Sequence, residues 1–321
     1  MILTTVKIML IILAAVMAVL TGAAIYACGY AINRPKKPSP PPTDPVYIKR
    51  AETRRINNQR LYDLNPQDLT LKSVDGLEMK AWYLPAEKET KNFVICVHGH
   101  KCNGPDEFSH MMPLYHYDLG FNYLLPDLTA HGRSEGKYIG FGSFDSKNIL
   151  LWVQYLIDRF GEDIQIVLHG ISMGAATVML CNESDPPEQV KCVIEDCGYT
   201  SAFDEMSNTL KGMIGFKFDP LVKMASTVCK IKAGYRFEDA DPLGNMYKAK
   251  NPMLFIHGES DTFVPFKFGK KLYEACTVPK DFMWVPDTVH AFSYYNAKEQ
   301  YDEKVKSFIA AHLQKETAAA K

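Results

Sequence analysis

Val167-Leu168-His169-Gly170-Ile171-Ser172-Met173-Gly174-Ala175-Ala176 is the stretch from which the rest of the chain can be read. The residues leading into it, Ile164-Gln165-Ile166-Val167-Leu168, are apolar and β-branched, the pattern of a short strand. Those that follow, from Ala175 to Leu180, are small and apolar and suit a helix. Between them lies G-x-S-x-G, which carries chemical meaning only in a strand–turn–helix setting. Such a turn holds its serine in a strained backbone conformation. Bulky residues two positions away on either side would strike the strand or the helix, so glycine is needed at both. The strain lifts the Ser172 hydroxyl into the open, at the start of a helix whose first N–H groups point toward it. The plainer alternative is a serine in an ordinary strand–helix turn, and the flanking sequence decides between the two.

Working outward, further apolar runs read as strands: Phe93-Val94-Ile95-Cys96-Val97, Asn122-Tyr123-Leu124-Leu125-Pro126, Lys191-Cys192-Val193-Ile194-Glu195-Asp196, Met253-Leu254-Phe255-Ile256-His257 and Asp281-Phe282-Met283-Trp284-Val285. Unbroken apolar strands imply a sheet covered on both faces. Before them, two alternating runs (residues 69–74 and 77–84) flank Asp75-Gly76, a strong hairpin signal. Ile149, Trp152, Val153, Leu156 and Phe160 fall on one helix face with Gly161 as a stop, and Tyr301, Val305, Phe308, Ile309 and His312 predict a closing helix. The alternation gives an α/β fold with a mostly parallel eight-stranded sheet. Residues 199–241 break the rhythm with a helical, apolar insertion, read as a cap over the site or an extra layer on the sheet.

At the N-terminus, residues 8–32 are uncharged and apolar or small, long enough to cross a bilayer as a helix of about 20 residues. The expectation for residues 1–34 is a single-pass membrane anchor. A cleaved signal is the alternative, because Ala27-Cys28-Gly29 faintly resembles a lipoprotein cleavage site. Lys7 precedes the run, whereas Arg34, Lys36 and Lys37 follow it. This favours a cytoplasmic catalytic domain but leaves the side open. Residues 35–46 are proline-rich and read as an extended spacer holding the domain, residues 47–314, away from the membrane. Residues 46–66 carry alternating charges and read as helical or irregular, and residues 315–321 form a tail with no assigned function.

A serine hydroxyl needs a base within hydrogen-bond reach, and the base needs a group to orient it. Histidine fits the first role because its pKa lies near neutrality. Of nine histidines, His290 lies in the loop after the last strand, which in a parallel sheet opens at the same edge as Ser172. Asp261, after the strand ending in His257-Gly258, is the candidate acid, and Asp196 is its rival. The order Ser172, Asp261, His290 is the one expected with this serine motif.

Five motifs therefore occur in sequence: His98-Gly99, Asp127 through His131-Gly132-Arg133-Ser134-Glu135-Gly136, the serine turn, the Asp261 turn ending in Val264-Pro265, and His290. On these the chain resembles the α/β-hydrolase superfamily over roughly residues 66–314. It is nearest the serine-aminopeptidase-like and prolyl-oligopeptidase-like branches and single-pass bacterial hydrolases with an N-terminal anchor. The resemblance implies an oxyanion hole built from the backbone N–H groups of Met173 and His100, each donor supplying about 3 kcal/mol to a transition state. It implies a serine hydrolase acting on an ester, thioester or amide through an acyl-enzyme. The apolar cap favours a small-molecule or lipid-like acyl substrate and an esterase or lipase. A serine aminopeptidase, or a catalytically silent membrane-tethered binding protein, are the alternatives. His131 and Asp127 are read as braces, and His98, His169 and His257 as packing or hydrogen-bonding residues.

Composition narrows the field further. The 321 residues carry 36 basic and 37 acidic side chains for a net charge of −1, with no basic stripe to engage nucleic acid. The eight cysteines form no C-x-x-C, so neither a zinc site nor a thioredoxin-like motif is expected. Their number leans mildly toward a reducing compartment. Gly140-Phe141-Gly142 lacks the third glycine of a dinucleotide loop, and no Walker or H-E-x-x-H motif occurs. No cofactor or metal is implied, and the oligomeric state is left open.

Overall fold

Period-two alternation in the strands distributes the core to two sides of one sheet. Phe93, Ile95, Val97, Ile166 and Leu168 enter one apolar cluster, and their neighbours Val94, Cys96 and Val167 enter another. The computed structural model describes residues 2–35 and 42–314. Its strands are β1 (Gln67–Lys72), β2 (Glu78–Leu84), β3 (Asn92–Val97), β4 (Asn122–Pro126), β5 (Gln165–Ile171), β6 (Val190–Asp196), β7 (Met253–Gly258) and β8 (Lys280–Val285). They form one eight-stranded sheet in the order β1-β2-β4-β3-β5-β6-β7-β8. The β1–β2 and β2–β4 pairs are antiparallel and the remainder are parallel. This is the mostly parallel sheet with an opening hairpin that the apolar runs predicted.

The helices are α1 (Ile2–Ile32), α2 (Pro45–Asp63), α3 (Gly104–Phe108), α4 (Asp145–Phe160), α5 (Met173–Asn182), α6 (Ala202–Ile214), α7 (Asp219–Ala233), α8 (Pro242–Asn245), α9 (Phe266–Ala275), α10 (Ser293–Asn296) and α11 (Lys298–His312). One face of the sheet is covered by α4, α5 and α9, through Trp152, Val178 and Leu272. The other is covered by α3 and α11, through Phe108, Tyr301 and Phe308. The insertion is the helical pair α6 and α7, each stopped by a left-handed glycine, Gly215 and Gly234.

Two N-terminal readings gain definition: the helical reading of residues 46–66 holds, and the spacer reading falls largely on residues outside those described. The charged run after the prolines is a regular helix, α2, capped by the Asp44 side chain on the Val46 N–H with Pro45 at its first position. The last residues assigned to the linker thus belong to a helix start. The second concerns the spacer. Residues 36–41, most of the proline-rich run, lie outside the described residues. On either side of them both helices lie against the domain. In α1, Ala24, Cys28, Ala31 and Ile32 are buried in the core shared with α7. Just beyond, Asn33 forms a β-bridge with Tyr138, and the Arg34 guanidinium donates to the Gly132 and Ser134 carbonyls at 2.6 and 2.5 Å. Small residues at a four-residue spacing let two helix backbones approach closely. In composition that stripe cannot be told from a lipid-facing one.

Candidate active site

The serine turn has the geometry its glycines require. Ser172 sits at φ 58°, ψ −117°, a conformation costly for any residue with a side chain. A Cβ on Gly170 would lie 2.1 Å from the Gly174 carbonyl oxygen, and one on Gly174 would lie 1.8 Å from that of Val97. The Ser172 N–H is anchored to the Asp196 carbonyl at 2.8 Å, and its own carbonyl accepts the Ala176 N–H at 3.1 Å. The side chain is thereby held at the junction of β5 and α5.

Three strand ends deliver the partners. The Ser172 hydroxyl lies 2.9 Å from His290 Nε2, and His290 Nδ1 lies 2.7 Å from Asp261 Oδ2. The other Asp261 oxygen, Oδ1, accepts the N–H groups of Phe263 and Val264 at 2.9 Å each. Burial alone would raise the Asp261 carboxyl. The hydrogen bonds and charges of His257 and His290 outweigh it and hold the group below its usual range. A carboxylate can only accept, so the His290 proton belongs on Nδ1 and its Nε2 lone pair faces the serine hydroxyl. Ser172, Asp261 and His290 are thus brought into one hydrogen-bonded chain.

Asp196, the rival acid, has other partners. Its side chain accepts from Ser293 Oγ at 3.2 Å and Tyr301 at 3.1 Å, and burial pushes its carboxyl up to about 6. It serves the turn through its backbone carbonyl instead.

Near the serine, β3 is followed by His98-Gly99. A Cβ on Gly99 would be 3.4 Å from the Ser172 Cβ, which shows how close the strand end passes. Neither the His100 nor the Met173 N–H has a hydrogen-bond partner among the described residues; Met173 directly follows the serine, and His100 directly follows Gly99. Free donors beside a serine hydroxyl are what binding of an oxyanion there would require. The next residue is not free: the Lys101 N–H donates to His131 Nε2 at 3.1 Å. His131 therefore braces this loop, as does Asp127, which accepts from the Gly104 and Arg133 N–H groups at 3.0 and 2.9 Å. His98 accepts the Leu128 N–H at 3.0 Å, and His169 lies between Tyr115 and Tyr301 at 2.6 and 3.0 Å. His257 lies 2.9 Å from the Val264 carbonyl.

Two features escaped the sequence. The Phe263 ring lies 4.9 Å from that of His290. Glu107, buried beside the Gly99 N–H, takes Arg50 and Arg54 of α2 at 3.0 and 2.9 Å. Ion pairs between residues more than 50 positions apart leave no local spacing to detect. As for metals, Cys197, Asp261 and His290 bring ligand atoms within 4.8 Å of one another. Burial pushes the Cys197 thiol well above its ordinary value and keeps it protonated, which makes it a poor ligand.

Residues 108–316 match the prolyl oligopeptidase family, which is more than half of the chain. The chain belongs to the prolyl oligopeptidase family. It is similar to the uncharacterized protein YqkD of Bacillus subtilis, at 28% identity over 74% of this chain and 77% of that one. It is also similar to the lysophosphatidylserine lipase ABHD12 of Rattus norvegicus, at 24% identity over 74% of this chain and 61% of the lipase. Among solved structures, the Pyrococcus furiosus esterase Pf2001 superposes with a TM-score of 0.65 over 79% of this chain and 94% of its own, at 20% identity. Together these place the sheet and its covering helices in the α/β-hydrolase fold. In this family member the fold brings together the residues that the five motifs singled out.

Proposed function

We propose that this chain is a membrane-anchored serine hydrolase that cleaves carboxylic esters of lipid-like acyl groups through an acyl-enzyme. The observation that carries the reading is the run of hydrogen bonds Ser172–His290–Asp261, at 2.9 and 2.7 Å, beside two unpartnered N–H groups. Ser172 Oγ attacks the acyl carbonyl as its proton passes to His290 Nε2. The Met173 and His100 N–H groups receive the oxyanion. The bond to the leaving alcohol breaks, and the alcohol takes the proton from His290. Water then attacks the acyl-enzyme, gives a proton to His290, and releases the carboxylic acid while Ser172 regains its hydrogen. Asp261 holds the imidazole in the required tautomer throughout.

The anchor reading draws on α1, 31 residues long and apolar enough to cross a membrane. The preference for acyl substrates draws on the apolar inner faces of α6 and α7 and on similarity to an esterase and a lipase. The name of the matched family supports a second reading, a serine peptidase. Turnover of p-nitrophenyl esters against aminoacyl-anilides by the full chain in detergent separates the two. Ester turnover at least 100-fold faster, abolished in Ser172→Ala, is expected. Faster anilide turnover reverses the preference, and activity surviving in Ser172→Ala overturns the mechanism.

A further inference from the structure

A cavity of about 470 Å³ lies beside the His100 loop, within the range usual for small-molecule sites. One wall is the cap, with Met206 and Leu210 of α6 and Leu221 of α7. The opposite wall is α1, with Ala23, Ala27 and Ala31. Ser172 and His290 are not among its lining residues, but their neighbours His100 and Phe263 are, so the cavity lies next to the pair. His100 bears one of the free N–H groups, and Phe263 packs on His290.

The helix that forms this wall is also, among the described residues, the one long and apolar enough to cross a membrane. At 1.5 Å per residue its 31 residues span about 46 Å, more than the ~30 Å hydrocarbon core of a bilayer. Exposure divides it where that arithmetic does. Residues 2–19 are exposed throughout, and the cavity begins at Ala23, about one turn later. A bilayer around the exposed part would end at the mouth of the cavity.

The contact is more than steric. The Ala31 carbonyl lies 2.9 Å from His100 Nε2, and the Tyr30 carbonyl accepts from Lys101 Nζ at 2.9 Å. Burial, helped by the Lys101 charge, lowers the His100 imidazole to about 4, so at neutral pH it is uncharged and donates its Nε2 proton to that carbonyl. The last turn of α1 thus holds the side chain of the residue that offers its N–H to the oxyanion.

We propose that the cavity between α1 and the cap binds the acyl chain of a membrane lipid ester, and that α1 is a wall of the substrate site as well as an anchor. The proposal rests on Ser172 being the acylated nucleophile. The chain enters along α1 from the bilayer, with its carbonyl at Ser172 and its tail between Ala27 and Leu210. His100 acts as a positioning residue that couples the seating of α1 to the oxyanion loop.

The test uses the full chain in phosphatidylcholine nanodiscs, with Ala27→Phe filling the cavity from the α1 side and Leu210→Trp from the cap side. Ile11→Phe, on the exposed part of α1, is the control. The kcat/KM ratio for p-nitrophenyl palmitate over p-nitrophenyl acetate is expected to fall at least tenfold in both filled variants and to hold in the control. An unchanged ratio in both overturns the proposal. A second measurement does not depend on turnover: photolabelling of Ser172→Ala with a diazirine-bearing palmitic acid. Label on the cap, residues 202–233, that disappears when Ala27→Phe is added supports the site. Label confined to residues 2–19, or cap label indifferent to the added substitution, overturns it. If the wild type neither cleaves the acetate ester nor reacts with a fluorophosphonate at Ser172, the hydrolase reading fails, and the photolabel pattern still decides whether the cavity holds an acyl chain.

Discussion

At Ser172 the backbone is bent against its preference so that a hydroxyl meets an imidazole, and both flanking glycines leave no room for a methyl group. Gly174→Ala would place a Cβ 1.8 Å from a carbonyl oxygen of β3, backbone that cannot move without disturbing the sheet. We expect a loss of more than about 4 kcal/mol in urea unfolding, or no folded protein. Asp261→Asn leaves shape but not charge. It allows the wrong imidazole tautomer and should lower ester turnover by about 10⁴-fold with little change in KM, measured by steady-state kinetics. Glu107 makes a pH prediction. Burial opposes its ionisation, but Arg54 and Arg50 prevail and lower its carboxyl from 4.5 to about 2. The folded value lies below the unfolded one. The stabilisation is therefore complete above about pH 4.5 and lost as pH falls toward about 2. The stability difference between wild type and Glu107→Gln should be largest near neutrality and shrink across that window, followed by urea unfolding at each pH. A difference that grows on acidification would contradict the assignment.

At the level of elements, what could be read from sequence was what short local patterns encode. The strands announced themselves as β-branched runs, α4 and α11 as amphipathic spacings, and α6 and α7 as an apolar stretch without strand character. The docking of α1 was not legible, because Ala24, Cys28 and Ala31 suit a lipid environment and a helix interface equally. Nor was the part played by α2, whose Arg50 and Arg54 find Glu107 across more than 50 residues of chain. The structure turns α1 from a tether into part of the fold. A shortened chain beginning at Pro42 uncovers the face of α7 that packs on Ala24, Cys28, Ala31 and Ile32. Its Tm should fall by more than about 5 °C relative to the full chain in the same detergent, since 1 kcal/mol corresponds to about 2–4 °C in a domain this size. An unchanged Tm would mean that the helix rests on the domain without stabilising it.

Across the whole molecule, the sheet performs the assembly. Ser172 follows β5, Asp261 follows β7 and His290 follows β8, and parallel strands put all three ends at one edge. Residues 118 positions apart in the chain thereby come within 2.9 Å. That convergence was foreseeable because each residue closes a strand-like run, and an α/β sheet presents its sites at the carboxyl ends of its strands. Asp196 also closes a strand, which is why sequence alone left it as a rival; only the direction of its side chain, toward Tyr301 and Ser293, removes it. The central claim is that this edge is a working nucleophile. It is tested most directly by treating the full-length folded protein with a fluorophosphonate and mapping the adduct by mass spectrometry. The account predicts a single adduct at Ser172, absent in Ser172→Ala and formed at least 100-fold more slowly in His290→Ala. Folded protein that takes no label, or takes it at another serine, would contradict it.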